Sequence, residues 1–263
     1  MTEPLLALAE TVAREAGATA RDYQASLGTR VAATKSSPTD VVTEADTAVE
    51  SQIRRAVAQH RPDDAVIGEE GTDSSGTSGL SWVVDPIDGT VNYLYGRAGY
   101  AVSIAVEDDE GALVAAVHAP VTGETWTAWR GHGAWLDGRT IHPTEVADLG
   151  SALVATGFGY RVDRRTRQAQ VTAAVLPRVR DIRRAGAASL DLCDVACGRL
   201  DGYYEQGLQR WDLAAGRLVV SEAGGVVSGL GGRPPGEPMV VAAGRRLHPS
   251  LERLLRDLDA DLM

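Results

Sequence analysis

The chain has 263 residues, of which 44% are hydrophobic and 24% are charged, an ordinary composition for one large globular domain or two closely packed halves. Its formal net charge of −10 argues against general binding to nucleic acids or anionic membranes. Because no apolar run approaches the roughly 20 residues that span a bilayer, and the acidic start of the chain does not resemble a secretory signal, we expect a soluble, cytoplasmic protein.

The first part of the chain is predicted to contain helices followed by an antiparallel meander. Apolar residues at helical spacing predict a helix over about residues 4–26, and Thr43 is a suitable N-cap for a second helix. Residues 73–79 are rich in Asp, Ser, Gly and Thr and predict a flexible surface loop. A strand is predicted at 65–67. The short strands of the meander, separated by glycines, are predicted at 82–84, 101–106, 112–118 and 124–129.

After about residue 145, predicted strands alternate with predicted helices, which favours an α/β half. The strands are predicted at 152–155, 203–204, 226–227 and 240–243. The helices are predicted at 164–177, 187–198, 212–223 and from Ser250 onward. Cys193 and Cys197 are spaced to share one face of a helix, so we expect buried thiols rather than a disulfide.

The most informative stretch is Asp85-Pro86-Ile87-Asp88-Gly89-Thr90, which follows the apolar run Trp82-Val83-Val84. Proline fixes the backbone and glycine frees it, so the chain is able to fold around a point. Carboxylate oxygens and a turned-in carbonyl are the ligands that Mg²⁺ prefers. Taken alone, the pattern is equally typical of a surface turn after a strand.

Two further acidic motifs decide between these interpretations. Glu69 follows a predicted strand within Gly68-Glu69-Glu70-Gly71, and Asp212 opens a helix within Trp211 to Gly216, where it is also a candidate N-cap. Together with Asp85 and Asp88, these acids sit at junctions between elements, where sites are commonly built. Four converging carboxylates repel one another unless cations neutralise them, and divalent ions can activate water for an in-line phosphoryl displacement.

A basic segment departs from the acidic character of the chain. Residues 161–184 hold eight arginines against Asp163 and Asp181. The simplest interpretation is a solvated helix and loop surface, because runs of charged residues usually lie on the solvated surface. The alternatives are a rim that attracts anions or a contact between subunits.

These motifs resemble those of the inositol monophosphatase family, the lithium-sensitive, Mg²⁺-dependent phosphatases. The similarity runs from about residue 30 to 230 in the family's order, and residues 156–160 with the arginines after them are similar to an actinobacterial branch. The matching segments are Lys35 to Asp46, Gly68 to Glu70, Trp82 to Tyr93, Arg183 to Leu190, Gly202 to Glu205, Trp211 to Gly216 and Glu222 to Gly225.

The resemblance implies an α/β fold in the form of a layered α-β-α-β-α sandwich. Residues 1–145 would form an N-terminal half with the antiparallel sheet and most of the metal ligands. Residues 146–263 would form a C-terminal α/β half with the substrate-binding residues and Asp212. The active site is implied to lie between the two halves, and members of this family are usually homodimers.

The resemblance also implies two to three Mg²⁺ ions in each site. The first ion is implied to bind Glu69, Asp85 and the backbone carbonyl of Ile87. The second is implied to bind Asp85, Asp88 and Asp212. Glu69 also faces a third, weaker ion, and Li⁺ is implied to inhibit by replacing the second.

The implied catalytic residues are Glu69, Thr90, Asp46 and Lys35. Asp46 and Thr90 would form a dyad near the attacking water. Lys35 would lie near the active site and give electrostatic support, the alternative being a solvated loop lysine. The backbone N–H groups of Gly89 and Thr90 would hold the phosphate, since such donors stabilise charge that develops in the transition state. Water is implied to attack phosphorus directly, without a phosphoenzyme.

The substrate is less sharply implied than the chemistry. Inositol 1-phosphate is expected, with Glu205 accepting hydrogen bonds from its hydroxyls, although Ala187 replaces a common Ser or Thr and segment 157–160 offers no evident polar match. Histidinol phosphate, fructose 1,6-bisphosphate and adenosine 3′,5′-bisphosphate therefore stay open. The implied substrate-binding residues are Asp88, Gly89, Thr90, Gly186, Ala187, Ala188, Glu205 and Asp212.

Other classes of function have less support. The five histidines lie outside the matched motifs, and neither a nucleophile elbow nor a Walker A motif occurs. One rival of a different class is kept, a regulator that binds RNA or a protein partner through residues 161–184. The complete set of acidic ligands argues against a loss of catalysis.

Overall fold

The computed structural model of the chain describes residues 2–27, 31–34, 41–71, 73–236 and 238–262. Within these residues, seven α-helices pack with two large sheets and one two-stranded sheet. The helices are α1 (Thr2–Leu27), α2 (Glu44–His60), α3 (Thr90–Leu94), α4 (Val162–Val175), α5 (Ala188–Ala196), α6 (Arg210–Glu222) and α7 (His248–Asp257). Short 3-10 turns cover Leu149–Ser151 and Leu176–Arg178.

The first large sheet has seven strands in sequential order, antiparallel except for the parallel pair β3–β4. A small antiparallel pair, β1 (Val31–Thr34) and β2 (Val41–Thr43), precedes it. The strands of the seven-stranded sheet are β3 (Ala65–Gly68), β4 (Ser81–Asp88), β5 (Ala101–Asp108), β6 (Gly111–Ala119), β7 (Glu124–Trp129), β8 (Gly133–Leu136) and β9 (Arg139–Thr140). The predicted meander is thus present.

The second large sheet is mixed, with the strand order β11-β10-β12-β14-β13. The first three strands in that order are parallel, β14 pairs antiparallel with β12, and β13 pairs antiparallel with β14. The strands are β10 (Leu153–Thr156), β11 (Asp181–Arg183), β12 (Gly202–Gln206), β13 (Val226–Ser228) and β14 (Met239–Ala243). The alternation of strands and helices that the sequence predicts for this part of the chain is observed.

Side-chain alternation along the strands builds five layers. In β4, Trp82 and Val84 are buried against α1 and α2, while Val83 faces the central helices α5 and α6. In β12, Tyr203 faces those central helices and Tyr204 faces the outer helices α4 and α7. The expected α-β-α-β-α sandwich is confirmed, with α5 and α6 as its middle layer.

Several boundaries differ from the sequence-based expectations. The strand predicted at 82–84 continues to Asp88, and α6 and α7 begin two residues earlier than predicted. The short strands β8, β9 and β11 were not predicted, since two to four residues carry little periodic signal. Cys193 is buried and Cys197 half-buried at the end of α5, and both are free thiols.

The two large sheets fall on either side of the predicted boundary at residues 145 and 146. α6, from the second part, nevertheless packs against strands of the first sheet, so the division into halves stays a prediction. Residues 73–79, predicted as a surface loop, are all exposed, and Ser74 forms an isolated β-bridge with Val66. Among the described helices, none combines the length and the apolar character needed to cross a bilayer.

Candidate active site

A bulge in β4 brings two carboxylates to the same side of the sheet. Residues three apart in a regular strand point to opposite faces. Between Asp85, which pairs with Ser103, and Asp88, which pairs with Ala101, β4 contains one residue more than β5. This bulge reorients the strand end, so that carboxylate oxygens of Asp85, Asp88 and Asp212 come within 4.8 Å of one another.

Asp212 and Glu69 reach this point from two other elements. Asp212 is the third residue of α6 and accepts a hydrogen bond from the backbone N–H of Gln209 at 2.7 Å, so Gln209 rather than Asp212 is the N-cap. Glu69 follows β3, which pairs with β4 in a parallel register that ends at Gly68 and Val84. The side chain of Glu69 therefore meets that of Asp85, and both line one cavity with Asp88 and Asp212.

The crowding of these acids shifts their protonation. Burial raises the pKa of Asp85 well above its ordinary value, and the charges of Glu69, Asp88 and Asp212 raise it further. Burial also raises the pKa of Asp88 to about 6 and that of Asp212 well above its usual range. Without cations the folded site therefore disfavours its own ionised form. This oxygen-only, buried and convergent donor set fits Mg²⁺.

The predicted dyad is assembled where β4 ends. The Thr90 hydroxyl is 3.1 Å from the carbonyl of Ile87 and 3.4 Å from Oδ1 of Asp46, which is buried in the first turn of α2. Gly89 turns the chain with φ 92°, and a Cβ there would lie 2.8 Å from the carbonyl of Gly99. A side chain at this position is therefore excluded by both conformation and space.

The structure does not show every predicted site residue at the cavity. Lys35 lies outside the described residues, so its role stays a prediction. Ala187 is buried as the N-cap of α5 and packs beside Gly89, and it is not among the described residues that line the cavity. Gly186 and Ala188 do line it, together with Gly89 and Thr90.

Asp88 has a partner that the sequence did not reveal. Its carboxylate accepts the backbone N–H groups of Ala188 at 3.2 Å and Ser189 at 2.7 Å, and also the Ser189 hydroxyl. These bonds lower the pKa of Asp88 and partly offset the effect of burial. The only sequence signal was a hydroxyl residue at the start of a predicted helix, which is too common to single out.

The cavity has a volume of about 380 Å³ and extends from the acidic cluster toward β12. Glu205 lines it, and its Oε2 accepts a hydrogen bond from the Tyr203 hydroxyl at 2.6 Å. Burial raises the pKa of Glu205 to about 7, although the Tyr203 bond and the charge of Arg184 act in the opposite direction. The cavity thus has the acidic cluster at one end and the half-buried carboxyl of Glu205 at the other.

Three arginines of the basic segment form the rim of this cavity: Arg161, Arg164 and Arg184. Arg161 forms an ion pair with Asp163, and the guanidinium of Arg184 lies 5.9 Å from the centre of the Phe158 ring. The basic segment is therefore only in part a solvated surface. Its two ends contribute positive charge to the mouth of an otherwise acidic site.

Comparison with known proteins identifies this arrangement. The inositol monophosphatase family model matches residues 1–260. The chain belongs to the inositol monophosphatase family. The inositol-1-monophosphatase SuhB of Mycobacterium tuberculosis is 46% identical over 257 residues, which cover 91% of this chain and 88% of that protein. Such mycobacterial relatives support an actinobacterial member, as the sequence predicts.

Two other proteins are also similar to the chain. The Nus factor SuhB of Escherichia coli is 38% identical over 232 residues, which cover 87% of this chain and 86% of that protein. The structure of the extragenic suppressor protein suhB from Bartonella henselae superposes with a TM-score of 0.90 at 33% identity, covering 96% of this chain and 98% of the other. Family and site together make the chain a phosphatase, with a phosphate ester as its substrate.

Proposed function

We propose that the chain catalyses the Mg²⁺-dependent hydrolysis of inositol 1-phosphate to myo-inositol and phosphate. The observation that carries the proposal is the convergence of Asp85, Asp88 and Asp212, beside Glu69, at one end of a cavity whose other end presents Glu205. The mycobacterial relatives named inositol-1-monophosphatase support the choice of substrate.

The acidic residues would divide between two ions. Glu69, Asp85 and the carbonyl of Ile87 would hold the first ion. Asp85, Asp88 and Asp212 would hold the second, and Glu69 would also face a third, weaker ion. Bound Mg²⁺ supplies positive charge that lowers the pKa of water and stabilises the oxygens of an in-line displacement. Li⁺ is expected to inhibit by competing for the second set of ligands.

The chain's own groups would orient the nucleophile and the phosphate. The Thr90 hydroxyl would accept a proton from the attacking water and pass its own proton to Asp46, its hydrogen-bond partner at 3.4 Å. Lys35 would add electrostatic support. The backbone N–H groups of Gly89 and Thr90 would hold the phosphate oxygens, and the oxygen of water would then bond to phosphorus as the ester bond breaks.

The alcohol would occupy the other end of the cavity. Glu205, which accepts a hydrogen bond from Tyr203, would accept further hydrogen bonds from ring hydroxyls. Gly186 and Ala188, which also line the cavity, would lie against the ring. Ala187 would also contact the ring, and Asp88 and Asp212 would lie at the ester oxygen. The leaving alkoxide would take up a proton from water.

A second candidate substrate is a phosphate ester that carries another anionic group, such as fructose 1,6-bisphosphate or adenosine 3′,5′-bisphosphate. The observation that favours it is the position of Arg161, Arg164 and Arg184 along the same cavity. Guanidinium groups bind phosphate through paired, charge-assisted hydrogen bonds. Histidinol phosphate, which has no second anion, would not use this rim.

A regulatory role, in which residues 161–184 would bind RNA or a protein partner, rests on a different observation. The chain is 38% identical to a protein named Nus factor SuhB, and Arg178 and Arg180 of the basic segment are exposed away from the cavity. Binding of labelled RNA, followed by fluorescence anisotropy at physiological salt, tests this role, because contacts to phosphates weaken steeply as salt rises. The acidic net charge makes weak binding the expected result.

We also propose that the protein is a cytoplasmic homodimer, as members of the family usually are. Light scattering coupled to size-exclusion chromatography measures the molar mass in solution. A mass twice that of the 27.7 kDa chain is expected, and a mass of one chain would contradict the proposal.

The decisive experiment measures phosphate release from four esters: inositol 1-phosphate, histidinol phosphate, fructose 1,6-bisphosphate and adenosine 3′,5′-bisphosphate. Each is assayed with Mg²⁺, with a chelator, and with Mg²⁺ plus Li⁺. Asp85→Asn serves as the site variant and Asp109→Asn, in an exposed turn, as its control. We expect phosphate release to be fastest from inositol 1-phosphate. The chelator and Asp85→Asn should each remove most of this release. Phosphate release without a metal would overturn the proposed mechanism. A preference for another ester would overturn the assignment of inositol 1-phosphate as the substrate.

A further inference from the structure

A buried carboxylate on α2 lies directly beneath the loop that carries Glu69. Glu50 is only 2% exposed, and its Oε2 accepts a hydrogen bond from the backbone N–H of Glu70 at 2.7 Å. A Cβ added to Gly68 or Gly71 would come within 2.5 Å or 2.4 Å of this carboxylate. The two glycines therefore leave the space that the carboxylate fills, and any side chain at either position would displace it.

The same carboxylate is also connected, through Arg54, to β3, the strand that precedes this loop. Oε1 of Glu50 lies 2.8 Å from Nε of Arg54, one turn further along α2. The Arg54 guanidinium reaches the carbonyl of Val66 in β3 at 3.4 Å. The ion pair thus contacts β3 before the loop, while the Glu50 carboxylate contacts the loop just after Glu69.

We infer that Glu50 is a positioning residue for metal binding: it fixes the loop of residues 68–71 so that the carboxylate of Glu69 faces Asp85. The inference rests on the proposed function, in which Glu69 and Asp85 share an ion. A loop with glycine on both sides loses much conformational freedom when it is ordered. The Glu50 contacts supply this order in the folded protein, so that metal binding does not have to.

Calorimetric titration with Mg²⁺ tests the inference without relying on activity. We expect Glu50→Ala to weaken binding about tenfold or more, the usual effect of removing a group that orients a metal ligand. In the assay, Glu50→Ala should raise the Mg²⁺ concentration for half-maximal rate by a similar factor, and saturating Mg²⁺ should restore kcat. A loss of folding alone would lower kcat at every Mg²⁺ concentration.

Two conservative variants separate reach from charge. Glu50→Gln keeps an oxygen that can accept the Glu70 N–H, whereas Glu50→Asp keeps the charge but is one methylene too short. We expect Glu50→Asp to bind Mg²⁺ more weakly than Glu50→Gln. The control is Glu10→Gln, which removes the charge of a more exposed Glu–Arg pair on α1 with the same i,i+4 spacing, in which Glu10 lies 3.0 Å from Arg14. It should match the wild type.

The outcomes distinguish this inference from the proposed function. A folded Glu50→Ala protein with wild-type Mg²⁺ affinity would overturn the positioning role. If that variant does not fold, equal affinities for Glu50→Asp and Glu50→Gln would overturn it instead. A wild-type protein that binds Mg²⁺ but hydrolyses none of the four esters would overturn the proposed function, while the titrations would still decide the role of Glu50.

Discussion

The carboxylate of Asp88 is joined to Ser189, 101 residues later in the chain, by hydrogen bonds from both the backbone N–H and the hydroxyl. Asp88 ends β4 of the first sheet, and Ser189 lies in the first turn of the central helix α5. The positive end of that helix also favours a carboxylate at this point. This contact fixes one acid of the cluster and ties the first sheet to the middle layer.

Replacing Ser189 by Ala is expected to raise the Mg²⁺ concentration for half-maximal activity about tenfold, because the group that orients Asp88 is lost. The hydroxyl also lowers the pKa of Asp88, so its loss makes the ionised, metal-binding form harder to reach. Titration of phosphate release against Mg²⁺ measures the shift. Ser26→Ala, an exposed change on α1, is the control. An unchanged Mg²⁺ requirement would show that the backbone bonds alone position Asp88.

The sequence predicted the layered fold and the acidic residues of the site, but not the geometry that unites them. Glu69, Asp85, Asp88 and Asp212 were recognisable because their motifs occur together and resemble those of a known family, although each motif alone is also typical of a surface turn or a helix cap. The bulge that turns Asp85 and Asp88 to one side depends on the pairing of β4 with β5, and a local pattern does not encode which residue of a neighbouring strand is skipped.

Supporting residues were missed for a related reason. Ser189 and Glu50 matter because of what they touch, and each touches a segment 20 or more residues away. In the sequence, Glu50 reads as one of many charged residues on an amphipathic helix. The arginines were recognised as a cluster, but only the fold shows that Arg164 and Arg184 come from opposite ends of it to one cavity.

Asp85→Asn is expected to change activity and stability in opposite directions. Loss of a shared metal ligand should reduce kcat/KM about a hundredfold or more, because Lewis-acid stabilisation is worth several kcal/mol and each ~1.4 kcal/mol is a factor of ten. The neutral amide also removes a buried carboxyl whose pKa is raised by burial and by Glu69. The Tm of the metal-free protein should therefore rise. The amide keeps an oxygen that can accept the backbone N–H of Ile87, so this hydrogen bond does not have to be lost. A lower Tm would contradict the expected relief of repulsion.

The metal-free protein is expected to lose stability as pH rises from about 7 to 8. Burial raises the pKa of Asp88 to about 6, of Glu205 to about 7 and of Asp191 to about 8. The folded state therefore keeps protons that the unfolded state releases above about pH 5, so these groups stabilise the fold at low pH and less as each one ionises. Buried His118 and His248 have lowered pKa values and act in the opposite direction, but that effect is complete above about pH 7.

Thermal unfolding at a series of pH values, with and without Mg²⁺, measures this dependence. The Tm should fall between about pH 7 and 8 in a chelator, and excess Mg²⁺ should raise the Tm across this interval, since ions that bind only the folded state stabilise it. Asp191→Asn should flatten the metal-free curve without removing a proposed ligand. A metal-free Tm that rises over this interval would contradict the raised pKa values of these carboxyls.

Arg164 is expected to discriminate between substrates. Its side chain lines the cavity and lies against two bare stretches of backbone, since a Cβ at Gly159 or Gly207 would collide with it. If it meets a second anionic group, Arg164→Met should reduce kcat/KM for fructose 1,6-bisphosphate about tenfold or more, because a hydrogen bond to a charge contributes about 1.5–3 kcal/mol. The value for inositol 1-phosphate should change much less.

Arg180→Met is the matched control for this prediction, because Arg180 belongs to the same basic segment but is exposed and does not line the cavity. It should leave both values unchanged. Equal losses for the two esters in Arg164→Met would instead assign Arg164 to support of the surrounding loops. The ratio of the two kcat/KM values is the informative quantity, because a general loss of folded protein cancels from it.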